Sequence, residues 1–427
     1  MLFCVTAFAI VVFIFISARW LAQVALEALN RRHVRGHAGA VPEAFRDVMD
    51  EPTYNKSVQY TLAKARLNQV ELTWETIVLL AALFSGVLPW LWEGFVGRFG
   101  VSIWSGAAFL FASGLLLSLP GLPLDWYAQF HLEEKFGFNT MTPRLWWLDR
   151  FKGLLLSLVL GFPLLALILK LVDWTGPLWW FWAWVCVVAF QLIMSVVAPM
   201  WILPLFNKLT PLPEGSLRER LLKLAERTGF HARSIQVMDG SKRSRHSNAF
   251  FTGFKRFRKI VLFDTLVEQL GEPEVEAVLA HEIGHYQKGH IPRMLIASAL
   301  MMLAGFGLLG YLAGQEWFQG AFGFSGEHLA PTLLLFSLLA GVVSFWISPL
   351  AHWWSRKFEF EADAYAADVL KESRPLVSAL RKLSERNLSN LTPHPAYGAV
   401  YYSHPTLVER ERALAGRNPE ITTSSGQ

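Results

Sequence analysis

A chain of 427 residues that is 53% hydrophobic and only 17% charged, with 32 Phe and 18 Trp, carries more apolar surface than a single globular core can hide. A soluble enzyme of this length devotes about a quarter of its residues to Asp, Glu, Lys and Arg, so the excess here must face lipid. The net charge of +5 comes without any nucleic-acid-binding motif and fits an anionic lipid surface instead.

Seven stretches are apolar over the roughly 20 residues that a helix needs to cross a bilayer: 2–22, 72–92, 101–119, 154–171, 178–203, 294–313 and 329–351. The first lacks a basic start and an Ala-x-Ala-like cleavage site and runs on toward Arg31, so it reads as an uncleaved anchor. Basic residues gather after the first stretch (Arg31, Arg32, Arg35, Arg46, Lys56, Lys64, Arg66) and after the third (Lys135, Arg144, Arg150, Lys152), which makes those sides cytoplasmic. The connections after the second, fourth and sixth stretches are short and nearly free of basic residues. With seven crossings the N-terminus is expected outside and the C-terminus inside. Cys4 and Cys186 fall within apolar stretches and read as small apolar fillers, which argues against a disulfide framework or a Cys-based metal site.

The chain thus divides into 1–205, five spans with their loops; 206–292, a cytoplasmic segment; 293–352, two more spans; and 353–427, a second cytoplasmic segment. In the first cytoplasmic segment, 216–228 has helical periodicity, 235–238 and 260–263 read as short strands, and 247–253 reads as another extended strand after a basic turn at 240–246. The expected fold class is an α-helical integral membrane protein with seven transmembrane helices and a cytoplasmic zincin-like α+β domain.

That domain carries His281-Glu282-Ile283-Gly284-His285. Two histidines four apart share one helix face and can hold one Zn²⁺, while Glu282 faces the open position beside the metal, where it can take a proton from water. The motif alone can also be a polar helix face, but Glu272-Pro273-Glu274 upstream suits a helix N-terminus and the apolar residues that follow lead into the motif. A catalytic zinc takes a third protein ligand. The last two spans are joined by a short outer connection, so they should be antiparallel neighbours that return to one membrane face. His285 lies nine residues before one span and Glu359 eight residues after the other, which puts the two at similar depths. Glu359 and Asp363 are four apart and share a helix face, so one can bind metal while the other supports a ligand; Glu361 points elsewhere. His404, before Pro405 and followed by Arg410, could stabilise a developing oxyanion.

These motifs, in this order, resemble the type I CAAX prenyl protease family of integral-membrane zinc metalloproteases. The match runs through Glu133-Glu134-Lys135-Phe136-Gly137-Phe138-Asn139, Ser247-Asn248-Ala249-Phe250 with Gly253, the His281–His285 motif, Glu359-Phe360-Glu361-Ala362-Asp363, and Ser403-His404-Pro405 with Arg410. The family often has a second Pro where this chain has Thr406. The resemblance implies a helical barrel around an intramembrane chamber, one Zn²⁺ per chain on His281, His285 and Glu359, and Glu282 as general base. It further implies a supporting or proton-donating Asp363, substrate backbone pairing at Asn248, and His404 and Arg410 steadying the reacting carbonyl or the substrate end. The implied partners are a peptide or protein substrate, lipidated or otherwise membrane-associated, and membrane lipids. The short extramembrane parts are compatible with a bacterial inner-membrane enzyme. Two other readings share some of these features: a heat-shock-type membrane quality-control zinc protease, and a zinc-binding membrane receptor or scaffold without catalysis. Fewer spans disfavour the first, and an intact Glu282 the second.

Overall fold

The computed structural model describes residues 7–46, 49–230, 234–252 and 259–416. Six of its helices are long and apolar enough to cross a membrane: Ala7–Gly36 (α1), Glu51–Phe84 (α2), Ile103–Phe136, Pro143–Phe206, His290–Ala313 and Leu329–Leu370. Side chains such as Phe13, Trp104, Trp201 and Leu350 project outward from them, uncovered by protein. Surface that apolar is stable only against lipid, and a helix suits lipid because it satisfies its own backbone amides.

Two of the seven expected stretches, 154–171 and 178–203, fall within the 64-residue run Pro143–Phe206, where a short 3-10 turn at Gly176–Leu178 separates them. The expected stretch 72–92 instead straddles a break. The helix α2 stops at Phe84, Gly86 turns the chain at φ +80°, and a second helix runs over Val87–Phe99. Cys186 is a half-buried free thiol, and Cys4 lies outside the described residues.

Outside the membrane helices, four strands form one sheet in the order β1-β2-β4-β3: β1 Leu209–Pro211, β2 Ser234–Met238, β3 Ala249–Thr252 and β4 Lys259–Phe263. The central pair β2 and β4 is parallel, and the outer strands pair antiparallel to them, which leaves β3 at one edge. We number the remaining helices used below α3 Ser216–Arg227, α4 Glu272–Gln287, α5 His290–Ala313, α6 Leu329–Leu370, α7 Arg374–Arg386 and α8 Leu407–Ala415. Leu221 and Leu224 of α3, Ile260 and Leu262 of β4 and Ile283 of α4 are fully buried in one core, which Ala366, Leu376, Ala379 and Leu414 complete from the C-terminal segment. The two extramembrane pieces, separated in sequence by residues 293–352, therefore fold around a shared interior. Lys382 of α7 reaches Glu274 of α4 at 2.7 Å and adds a polar tie across the same boundary.

The helix α4 lies along α6 with almost no gap. A Cβ built on Gly284 would come within 3.0 Å of both Cα and O of Ala362, backbone atoms that cannot swing aside. Gly284→Val should therefore force the two helices apart and lower the unfolding temperature of the detergent-purified protein, at an overpacking cost of about 1–3 kcal/mol. An unchanged melting curve would show that the contact is not a constraint.

Candidate active site

The first turn of α4 is built for its job. Glu274 Oε2 accepts the Gly271 N–H at 2.7 Å, Pro273 occupies a position whose missing N–H costs nothing, and Glu272 and Glu274 sit at the positive end of the helix dipole. Helical register then carries His281 and His285 to the face that meets α6. Their Nε2 atoms lie 3.2 Å apart, and Glu359 of α6 meets both: Oε2 is 3.4 Å from His281 Nε2 and Oε1 is 3.3 Å from His285 Nε2.

The residues behind this cluster fix how it points. Asp363 Oδ1 accepts from His281 Nδ1 at 2.8 Å, so that in the neutral ring the lone pair lies on Nε2. Asp363 is in turn clamped by the guanidinium of Arg410, whose Nε donates at 2.8 Å and whose Nη2 donates to the other carboxylate oxygen. Arg410 is buried, and its Nη1 lies 3.7 Å from Glu359. The side chain expected to touch substrate is thus engaged beneath the cluster. His404 stands on the exposed side, with Nδ1 2.9 Å from Glu359 Oε2. Thr406 caps the helix α8 behind it by bonding with Glu409 in both directions.

Glu282 is half-buried beside the cluster, and desolvation in the cleft raises its carboxyl above the ordinary carboxylate range. Burial works against a charged His281, but its bonds to Asp363 and Glu359 outweigh that and push it up to about 9. Asn248 lies at the start of the edge strand β3, exposed, with its side chain accepting the Ala249 N–H at 2.8 Å and its carbonyl accepting from Phe263 N–H. Gly253 lies outside the described residues.

Two features escaped the sequence reading. Glu361, off the face shared by Glu359 and Asp363, has a partner of its own: its Oε2 is 3.0 Å from Nε2 of His290, whose Nδ1 is 3.0 Å from Nδ1 of His285. The motif at 133–139 is tied to the turn before β3, because Glu133 bonds Tyr60 at 2.6 Å and His246 at 3.3 Å while Phe138 stacks on the His246 ring at 4.0 Å. Only the fold reversal at Gly289 brings His290 under α4, although a His five residues after His285 was a visible signal.

A cavity of about 540 Å³ opens beside His404. Asn30 of α1 and Tyr60 and Lys64 of α2 line it together with His246, Asn390 and Tyr402, so the membrane helices and the extramembrane core share its walls. Among the described residues, His281, His285 and Glu359 form the group whose ligand atoms, all within 4.8 Å of one another, could hold a metal. The chemistry suits one: two imidazole nitrogens and a carboxylate converge on a point, where a cation would take the place of the proton that His281 otherwise holds. Glu359 Oε2 is buried without a well-directed hydrogen bond, despite the nearness of His404.

Removing Arg410 would leave Asp363 as a buried carboxylate with His281 Nδ1 as its remaining partner and without its guanidinium. Arg410→Ala should destabilise the extramembrane core by about 3–5 kcal/mol, and Arg410→Lys, which cannot reproduce the two-pronged contact, should recover only part of it. Unfolding curves of the two variants against the parent protein provide the measurement; equal stability of Arg410→Ala would show that the clamp contributes nothing.

Comparison with known proteins agrees with this architecture. Residues 30–208 match the model of the CAAX prenyl protease N-terminal region, described as five membrane helices, and residues 211–418 match peptidase family M48. The chain is 37% identical to CAAX prenyl protease 1 of Saccharomyces cerevisiae over 93% of its own length and 94% of the relative's. It is 33% identical to the CAAX prenyl protease 1 homolog of Homo sapiens, over 91% of each chain. The crystal structure of S. mikatae Ste24p superposes with a TM-score of 0.85 at 35% identity, covering 94% of this chain and 98% of that one. With a membrane-helix region of that type in front of an M48 peptidase, this chain, a multi-pass membrane metalloendopeptidase, belongs to the type I CAAX prenyl protease family.

Proposed function

We propose that this chain hydrolyses peptide bonds in membrane-associated substrates of the prenylated CAAX type, using one zinc ion held by His281, His285 and Glu359. The observation that carries the reading is the convergence of those three side chains beside Glu282, at the end of a helix that begins in the membrane. The substrate class follows from the names of the relatives, which are CAAX prenyl proteases over nearly their whole length. The cavity walled by both membrane helices and His404 supports it, since a lipid-anchored peptide must reach the cluster from the bilayer side.

A zinc ion bound there supplies Lewis acidity toward the scissile carbonyl and makes a neighbouring water easier to deprotonate. The chain's own residues do the rest. Glu282 takes the proton from the attacking water and passes it to the leaving amine, and its raised proton affinity suits both transfers. His404, exposed and close to Glu359, donates toward the carbonyl oxygen as negative charge develops. Asp363 holds His281 in the tautomer that presents Nε2, and Arg410 holds Asp363, a positioning role in place of substrate contact. An extended peptide adds to β3, the strand at the end of the sheet, where Asn248 stands at the entrance.

We further read the chain as seven crossings, with both halves of the run Pro143–Phe206 traversing the bilayer, the segments 206–292 and 353–427 on the cytoplasmic side and the N-terminus outside. The clusters of Arg and Lys around 31–66 and 135–152 support that orientation. An inner-membrane location in a bacterium is compatible with it.

Cleavage of a prenylated CAAX peptide should vanish in Glu282→Gln, a loss of at least 10²–10⁴-fold for a general base, while elemental analysis still finds one zinc per chain. Glu359→Ala should lose the zinc itself. Turnover that survives in Glu282→Gln would sink the mechanism; full metal content in Glu359→Ala would sink the ligand set.

A further inference from the structure

His290 opens α5, yet it is only 1% exposed, because Gly289 at φ +67° folds the chain back so that the imidazole lies under α4. The ring stacks on Phe358 of α6, with centroids 4.2 Å apart and planes 9° from parallel, so its orientation is fixed. Both of its nitrogens are engaged, Nε2 with Glu361 Oε2 at 3.0 Å and Nδ1 with His285 Nδ1 at 3.0 Å.

The positions of the hydrogens follow from what each group can do. A carboxylate only accepts, so the hydrogen in the first bond sits on His290 Nε2. A neutral imidazole protonated there has a bare Nδ1, which can only accept. The hydrogen between the two rings therefore belongs to His285 Nδ1, and the lone pair of His285 lies on Nε2, the atom 3.3 Å from Glu359 Oε1. The opposite order would place a hydrogen on Nε2, where it would block a metal.

We propose that His290 and Glu361 are positioning residues for the metal site: Glu361, acting through His290, holds His285 in the tautomer and ring orientation that a metal requires. The pair does for His285 what Arg410 and Asp363 do for His281, from the opposite side of the cluster. The inference rests on the reading that His281, His285 and Glu359 bind the metal.

The test measures zinc affinity of the full-length detergent-purified chain by competition with a chelator, alongside the visible absorption of the cobalt-substituted protein. Glu361 is the sharper target. Its side chain is 34% exposed, so Glu361→Leu disturbs little packing while it removes the acceptor that keeps the hydrogen of His290 on Nε2. Zinc affinity should fall roughly 10–100-fold in Glu361→Leu and in His290→Leu, with a changed cobalt spectrum. Glu361→Gln, whose amide oxygen can still accept, and His290→Gln, whose amide can accept from His285 and donate to Glu361, should each restore most of it. Wild-type affinity and spectrum in Glu361→Leu would overturn the proposal even if His290→Leu failed to fold. Glu359→Ala separates the two readings: metal lost there but held normally in Glu361→Leu removes the relay and leaves the ligand set standing.

Discussion

The cluster at the heart of this protein exists because two helices touch backbone to backbone at Gly284 and Ala362. With any side chain at 284, α4 would stand off from α6, and two histidines and a glutamate from different parts of the chain would no longer meet. The same contact puts Asp363 behind His281 and Glu361 behind His290. Since α6 supplies Glu359, Glu361 and Asp363 from one helical turn and its neighbours, the spacing of the supporting acids is set by the helix itself and only the distance to α4 has to be right. Close packing of the shared core, including Ile283 and Ala366 on either side of the contact, maintains that distance.

Polar groups gathered in such a place must be paired, because burial without partners is costly. The arrangement meets that demand in layers. Arg410 neutralises Asp363, Asp363 takes the proton of His281, Glu361 takes that of His290, and His290 takes that of His285. What remains turned inward is Nε2 of each histidine and the Glu359 carboxylate, gathered within 4.8 Å of one another as a cation would need them, next to an acid whose proton affinity the cleft has raised. The outer bonds fix the side chains, and the inner atoms are the ones left for chemistry.

Much of this was legible in the sequence, for physical reasons that differ from residue to residue. His281, Glu282 and His285 are local and show their geometry through helical period alone. Glu359 and Asp363 could be placed because a short connection between two apolar stretches forces them antiparallel. Hydropathy located the membrane-facing stretches but not the helix ends: it reports where lipid is tolerated, whereas α2 begins 21 residues before the apolar stretch, at an Asp50 cap, and stops within it at Phe84, just before the turn at Gly86. The strand Leu209–Pro211, three residues long with a proline, has too little pattern to be seen. The partners of Glu361 and Arg410, His290 and Asp363, were not legible, because they become neighbours only after the chain turns at Gly289 and the C-terminal helix packs back.

The two helices that flank the site also differ in how they join the membrane. Leu329–Leu370 continues as one helix through Pro349 to Glu359, whereas α4 and α5 are separate pieces divided by a left-handed glycine. Each route from an apolar helix to a ligand therefore has one soft point, a missing backbone hydrogen bond at the proline on one side and a turn at Gly289 on the other. A tilt of either apolar helix meets that point before it meets the ligand beyond it.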